Sequence, residues 1–210
     1  MFIVLEELAM QLKTNIFTFN GKEPLLGEKF PQPSQGDFPS LQFKYASFSY
    51  VYANTTSYVQ QVLDAMPLQH KHKRVVVDVK VTDIKPGSPP CLPGWHCDSV
   101  IDPYDTTLPE AHHIFVTGNA SLTEFIGEPV SLHYDPSLKH QKLLAFFRSQ
   151  LNEFKNLKVW KVPSCRITTY GRFDFHRGSI GLFPEKRLLI RATETDLIKP
   201  RNTPYDNPFC

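Results

Sequence analysis

The sequence is short of the features that would mark several protein classes. Its four cysteines, Cys91, Cys97, Cys165 and Cys210, show no CxxC spacing, and 210 residues are enough to bury a core without disulfide staples. Free thiols in a reducing, cytoplasmic setting are therefore expected. Neither sign of charge prevails: 23 basic and 21 acidic residues leave a formal +2, which gives no argument for nucleic acid or an anionic membrane as partner. Long apolar runs are missing too. The opening MFIVLEELAMQL is interrupted at Glu6 and Glu7 and has no basic region before it, so it does not read as a signal peptide, and no stretch is long enough to span a bilayer. There is no internal repeat and no low-complexity segment.

What is present is 41% apolar content with eighteen prolines, sixteen phenylalanines and ten glycines, a composition of short strands punctuated by proline-bearing loops. A single domain over 1–210 is expected, mostly β with peripheral helices: a support region at 1–74, a core at 75–195 and a tail at 196–210. Ile3, Val4, Leu8 and Leu12 predict an amphipathic helix over 3–12, and the stretch Gly21 to Ser40, with four prolines, a long surface loop. A strand is predicted over 41–52 and a helix over 58–66, stopped by Pro67. In Val75 to Thr82 every odd position is valine and the later even positions are polar, a half-buried strand. A proline-rich connection from Lys85 to Gly94 follows. Further strands are expected at 112–117, 121–126, 129–133, 163–176 and 186–194, with a helix between Pro136 and Leu157.

The chemistry-bearing residues lie in this second half. Side chains two apart in a strand share a face, so Trp95-His96-Cys97-Asp98 would project His96 and Asp98 together, with Trp95 and Cys97 on the other side. In Arg172-Phe173-Asp174-Phe175-His176, His176 points away from the two phenylalanines, and a neighbouring strand could bring it to the same place. Two histidines and one carboxylate on one triangular face leave coordination positions open for a chelating oxo acid and for oxygen, the arrangement of non-haem iron(II) oxygenases. Zinc is not excluded by residue type. Arg187 and Arg191 follow His176 by eleven and fifteen positions and share a face with Leu189 and Thr193. A guanidinium fork there could hold the far carboxylate of a dicarboxylic oxo acid, with the Thr193 hydroxyl adding a hydrogen bond. Of His112 and His113, one must face inward.

This pattern, Trp95-His96-Cys97-Asp98 with His176-Arg177 and then Arg187 and Arg191, resembles the iron(II)/2-oxoglutarate-dependent dioxygenases, most nearly the taurine dioxygenase-like branch, over roughly residues 75 to 195. The resemblance implies a double-stranded β-helix, or jelly-roll barrel, with flanking helices. It makes His96, Asp98 and His176 the Fe(II) ligands and Arg187 the anchor of the 2-oxoglutarate 5-carboxylate, with Arg191 near the oxo-acid end or a substrate anion; the two arginines could exchange these roles. It also implies that O2 and 2-oxoglutarate are consumed, succinate and CO2 released, and a substrate hydroxylated. The short interval from Asp98 to His176 departs from the taurine branch and makes taurine a poor guess; the compact spacing is closer to prolyl-hydroxylase-like or nucleic-acid-repair-like relatives, but no substrate motif of either is present. Two rival readings are a cupin-like metal enzyme indifferent to 2-oxoglutarate and a non-catalytic β-sandwich binding protein. Neither the primary substrate nor the oligomeric state can be read from the chain.

Overall fold

The computed structural model describes residues 15–91, 94–98, 110–138 and 140–204. It is mostly β. Among the described residues eleven strands run in the order β1 (Asn15–Phe19), β2 (Leu25–Lys29), β3 (Phe43–Ser47), β4 (Arg74–Ile84), β5 (Ala111–Val116), β6 (Thr123–Ile126), β7 (Val130–Tyr134), β8 (Val159–Lys161), β9 (Arg166–Gly171), β10 (His176–Gly178) and β11 (Glu185–Thr195). Helices α1 (Phe48–Ala53) and α2 (Ser57–Asp64) follow β3, and α3 (His140–Glu153) follows β7. The strands form a six-stranded sheet in the order β2-β9-β5-β11-β4-β3, a three-stranded sheet β10-β6-β8 and the pair β1-β7. Every pairing in these sheets is antiparallel. Among the described residues the sheets remain separate and do not close into a barrel.

Period-two alternation on the longest strands sorts the large sheet into two faces. Val77 and Val79 of β4 lie opposite Ala192 and Ile190 of β11, and these four pack with Phe115, Ile167 and Leu188 under Val59, Val62 and Leu63 of α2. Each such aliphatic side chain withdrawn from water stabilises the fold by about 1.5–3 kcal/mol, and here they glue two helices to the sheet's outer face. The opposite face carries Asp78, Lys80, Arg187, Arg191 and Thr193, together with His112, Ile114 and Tyr170. Ile114, Val116 and Tyr170 from this face pack against Phe125 and Val162, which brings the three-stranded sheet over it. A third cluster lies under α3, whose Leu143, Leu144, Phe147 and Leu151 meet Phe19, Leu132, Trp95, Cys97 and Phe175.

Several expectations are corrected. The predicted loop 21–40 contains β2, which Pro24 and Pro31 tolerate because β2 is an edge strand flanked rather than interrupted by proline. The predicted strand 41–52 ends at Ser47, whose hydroxyl accepts the Tyr50 N–H and so caps α1. The predicted strand 163–176 breaks after Gly171. Asp174 closes a turn there, donating its N–H to the Gly171 carbonyl at 3.1 Å and accepting the Gly171 N–H at 2.7 Å. The break transfers the chain to the three-stranded sheet, and His176 goes with it. Strands β1 and β8 were not anticipated, and the helix predicted over 3–12 lies outside the described residues.

Candidate metal centre

His96, Asp98 and His176 come together at the edge of the three-stranded sheet. The backbones of His96 and His176 exchange both hydrogen bonds, at 3.0 and 2.9 Å, so His96 extends the sheet beyond β10 by one antiparallel pair. Residues directly opposite in this way place their side chains on the same side, and the two imidazole rings lie 4.5 Å apart between centroids. No regular strand forms around His96, yet the expected alternation holds. Trp95 and Cys97 are buried under α3, while His96 and Asp98 face the cleft. One ligand atom from each of the three residues lies within 4.8 Å of the others, a spacing that one ion could collapse onto its coordination distances.

The histidine tautomers suit a metal. His96 Nδ1 sits 3.1 Å from the Gly94 carbonyl and His176 Nδ1 sits 3.0 Å from the Asp174 carbonyl. A carbonyl only accepts, so each Nδ1 carries the proton and each Nε2 presents its lone pair, the outer-shell arrangement usual for metal-bound histidine. Burial lowers the His96 pKa to about 4, which keeps that ring neutral and able to ligate at neutral pH.

Asp98 is held as a carboxylate. Burial alone would raise its pKa, but the Arg191 guanidinium overcomes burial and holds it well below the ordinary range. Arg191 Nη1 reaches Asp98 Oδ1 at 2.5 Å. Tyr170 donates its hydroxyl to Oδ2 at 2.5 Å, and the His176 Nε2 lies 3.4 Å from the same oxygen. The oxygen nearer His176 is thus the one placed to meet a metal, while Arg191 holds its twin. Burial, then the Asp98 charge, pushes the Tyr170 hydroxyl well above its ordinary range, so it remains a donor. Arg191 also grips Asp78 through Nε and Nη2, at 2.9 and 2.6 Å, and the other Asp78 oxygen accepts the N–H of Tyr45 at 2.7 Å. Tyr45 has φ of 53°, a costly conformation for a residue with a Cβ, at an irregularity in the β3–β4 register.

The remaining predicted residues separate. Arg187 is 4% exposed, lines the same cleft, and approaches the Thr123 hydroxyl with Nη2 at 3.5 Å. Arg191 is committed to the two aspartates. Thr193 has the right parity but does not line the cleft; its hydroxyl meets His112 Nδ1 at 3.0 Å. His112 is the inward member of its pair, stacked on Tyr170 with ring centroids 5.0 Å apart, and burial lowers its pKa to about 3. His113 faces the other way, between Thr169 and Glu194. Sequence reasoning did not find Asp78, Tyr170 or Thr123. Asp78, a carboxylate in a valine run and in phase with Lys80, was a visible signal; Thr123 offered none.

The cleft has a volume of about 510 Å³. Ile114 and Leu189 give it an apolar wall from the large sheet, and Leu144 of α3 gives another. Among the described residues no helix is long and apolar enough to cross a membrane. A scan of protein-family models and searches of curated proteins and of solved structures give no match to this chain.

Proposed function

We propose that the protein is an Fe(II)- and 2-oxoglutarate-dependent dioxygenase, with His96, Asp98 and His176 holding the iron. The carrying observation is a donor set of two imidazoles, each with Nδ1 on a backbone carbonyl, and one ionised carboxylate, with one ligand atom of each within 4.8 Å of the others, in a cleft that also contains a buried arginine. The donor types fit iron(II) and leave positions for a chelating ligand. Iron with 2-oxoglutarate would supply the oxidising power, consuming O2 and releasing succinate and CO2 as a substrate C–H bond is hydroxylated. A pair of facing sheets with the triad between them is compatible with an open form of the double-stranded β-helix. The free thiols of Cys97 and Cys165 suit a reducing cytoplasm.

In this reading the chain's own groups divide the work. Arg187, rather than Arg191, receives the 5-carboxylate, because Arg191 is already bound to Asp78 and Asp98 while Arg187 lies in the cleft beside the Thr123 hydroxyl. Arg191 keeps Asp98 ionised and fixes its rotation, and Tyr170 shares that task from the other oxygen. Ile114 and Leu189 exclude water from the reacting end, which strengthens every charge interaction there.

Calorimetric titration of 2-oxoglutarate into anaerobic iron(II)-loaded protein tests the assignment. Arg187→Ala is expected to weaken binding by about a hundredfold, as loss of a buried charge-assisted pair should. Unchanged affinity in that variant would leave a cupin-like metal enzyme as the better reading.

A further inference from the structure

We propose that the primary substrate carries an oxyanion, of the carboxylate or phosphate class, and that Arg148 of α3 receives it. The term primary substrate rests on the dioxygenase reading above; the anion site rests on its own geometry. Six lysine and arginine side chains line the cleft against Asp78 and Asp98 alone among the described residues, although the whole chain is nearly neutral. Arg191 answers both of those carboxylates, and Arg177 is paired with Glu124 at 2.8 Å. Metal dication and oxo-acid dianion cancel, so loading the cofactors would not itself change the balance of charge lining the cleft.

Arg148 is positioned by α3 and by the backbone beside His96 rather than by a carboxylate. Gln141, Leu144, Ala145 and Arg148 recur at helical spacing and form the α3 wall of the cleft. Gly94, at φ of 82°, has no side chain where a Cβ would come within 3.0 Å of the Arg148 Cδ, so the arginine stem passes through the space that glycine leaves. Arg148 Nε then donates to the Trp95 carbonyl at 3.2 Å, one residue from the metal ligand His96. Among the described residues Arg148 makes no ion pair. A guanidinium held by Nε keeps both Nη groups for a forked contact and loses little freedom when an oxyanion arrives. Lys44 and Lys80 line the facing wall.

Benzoate and benzamide, matched in shape and differing in charge, make the test when each is titrated calorimetrically into anaerobic protein saturated with iron(II) and 2-oxoglutarate. Benzoate is expected to bind about tenfold more tightly than benzamide. Arg148→Gln, which keeps a donor but no charge, should erase the preference, and Arg148→Lys should restore part of it, with 2-oxoglutarate affinity unmoved in both. Equal binding of the two probes, a preference that survives Arg148→Gln, or benzoate binding that weakens as 2-oxoglutarate rises would overturn the proposal. Should 2-oxoglutarate fail to bind the parent protein, the dioxygenase reading falls, and the same pair run on metal-free protein decides the anion site separately by its dependence on Arg148.

Discussion

The two faces of β4 and β11 are built from the same backbone and differ in almost every other respect. On the outer face Val77, Val79, Leu188, Ile190 and Ala192 are no more than 1% exposed and pack beneath α1 and α2. On the inner face, one residue out of phase, Asp78, Arg187 and Arg191 sit in a cleft beside two histidines and a second carboxylate, Asp98. Stability is therefore concentrated on one parity and chemistry on the other. Buried charges are tolerated on the inner face because each carboxylate finds a guanidinium at hydrogen-bonding distance.

Changes on one face should leave the other's property standing, and the largest effect is expected at the ligands. His176→Ala should lower iron(II) affinity by more than the roughly hundredfold that losing a mere supporting partner can cost. Its denaturation midpoint in metal-free form should stay near that of the parent, as equilibrium dialysis and urea unfolding in parallel would establish. Ile190→Ala is the converse. It opens a cavity in the outer core and should cost about 3 kcal/mol by urea unfolding, with metal affinity of the folded protein unchanged.

The pH dependence belongs to the inner face. His112 has a folded pKa of about 3 against an ordinary 6.5, so the unfolded chain takes up the proton first. Its contribution is complete above pH 6.5 and is lost as pH falls toward 3; His96, lowered to about 4, has the same sign. Between pH 7 and pH 5 metal-free protein should lose about 2 kcal/mol per such histidine, and His112→Gln should flatten the slope. The smallest effect is expected at Asp78→Asn. Loosening Arg191 should reduce iron affinity about tenfold through Asp98, measured against the same dialysis standard, with little change in oxo-acid affinity once iron is saturating.

The division between faces was legible in the sequence because it follows from period-two alternation: the odd valines of β4 and the shared parity of Arg187, Leu189 and Arg191 required no knowledge of tertiary structure. The pairing of His96 with Asp98 was legible for the same reason. What eluded sequence reasoning depended on partners distant along the chain. Asp174 turns the chain after Gly171 and so moves His176 onto the opposing sheet, a short-range event hidden inside an apparently continuous strand. Arg191 has the parity of a ligand-binding residue, but Asp78, on the neighbouring strand, binds it first. Thr193 likewise faces inward and finds His112 rather than the cleft. Register decides such cases, and register is not written in any one segment.

The most direct test is an anaerobic titration of metal-free protein with iron(II) and 2-oxoglutarate, followed through the weak visible charge-transfer band of a chelated oxo acid. The band should develop with one equivalent of iron, vanish in His96→Ala and require far more 2-oxoglutarate in Arg187→Ala. Iron that binds without a band would contradict the oxo-acid role, and failure to bind iron would contradict the metal centre itself.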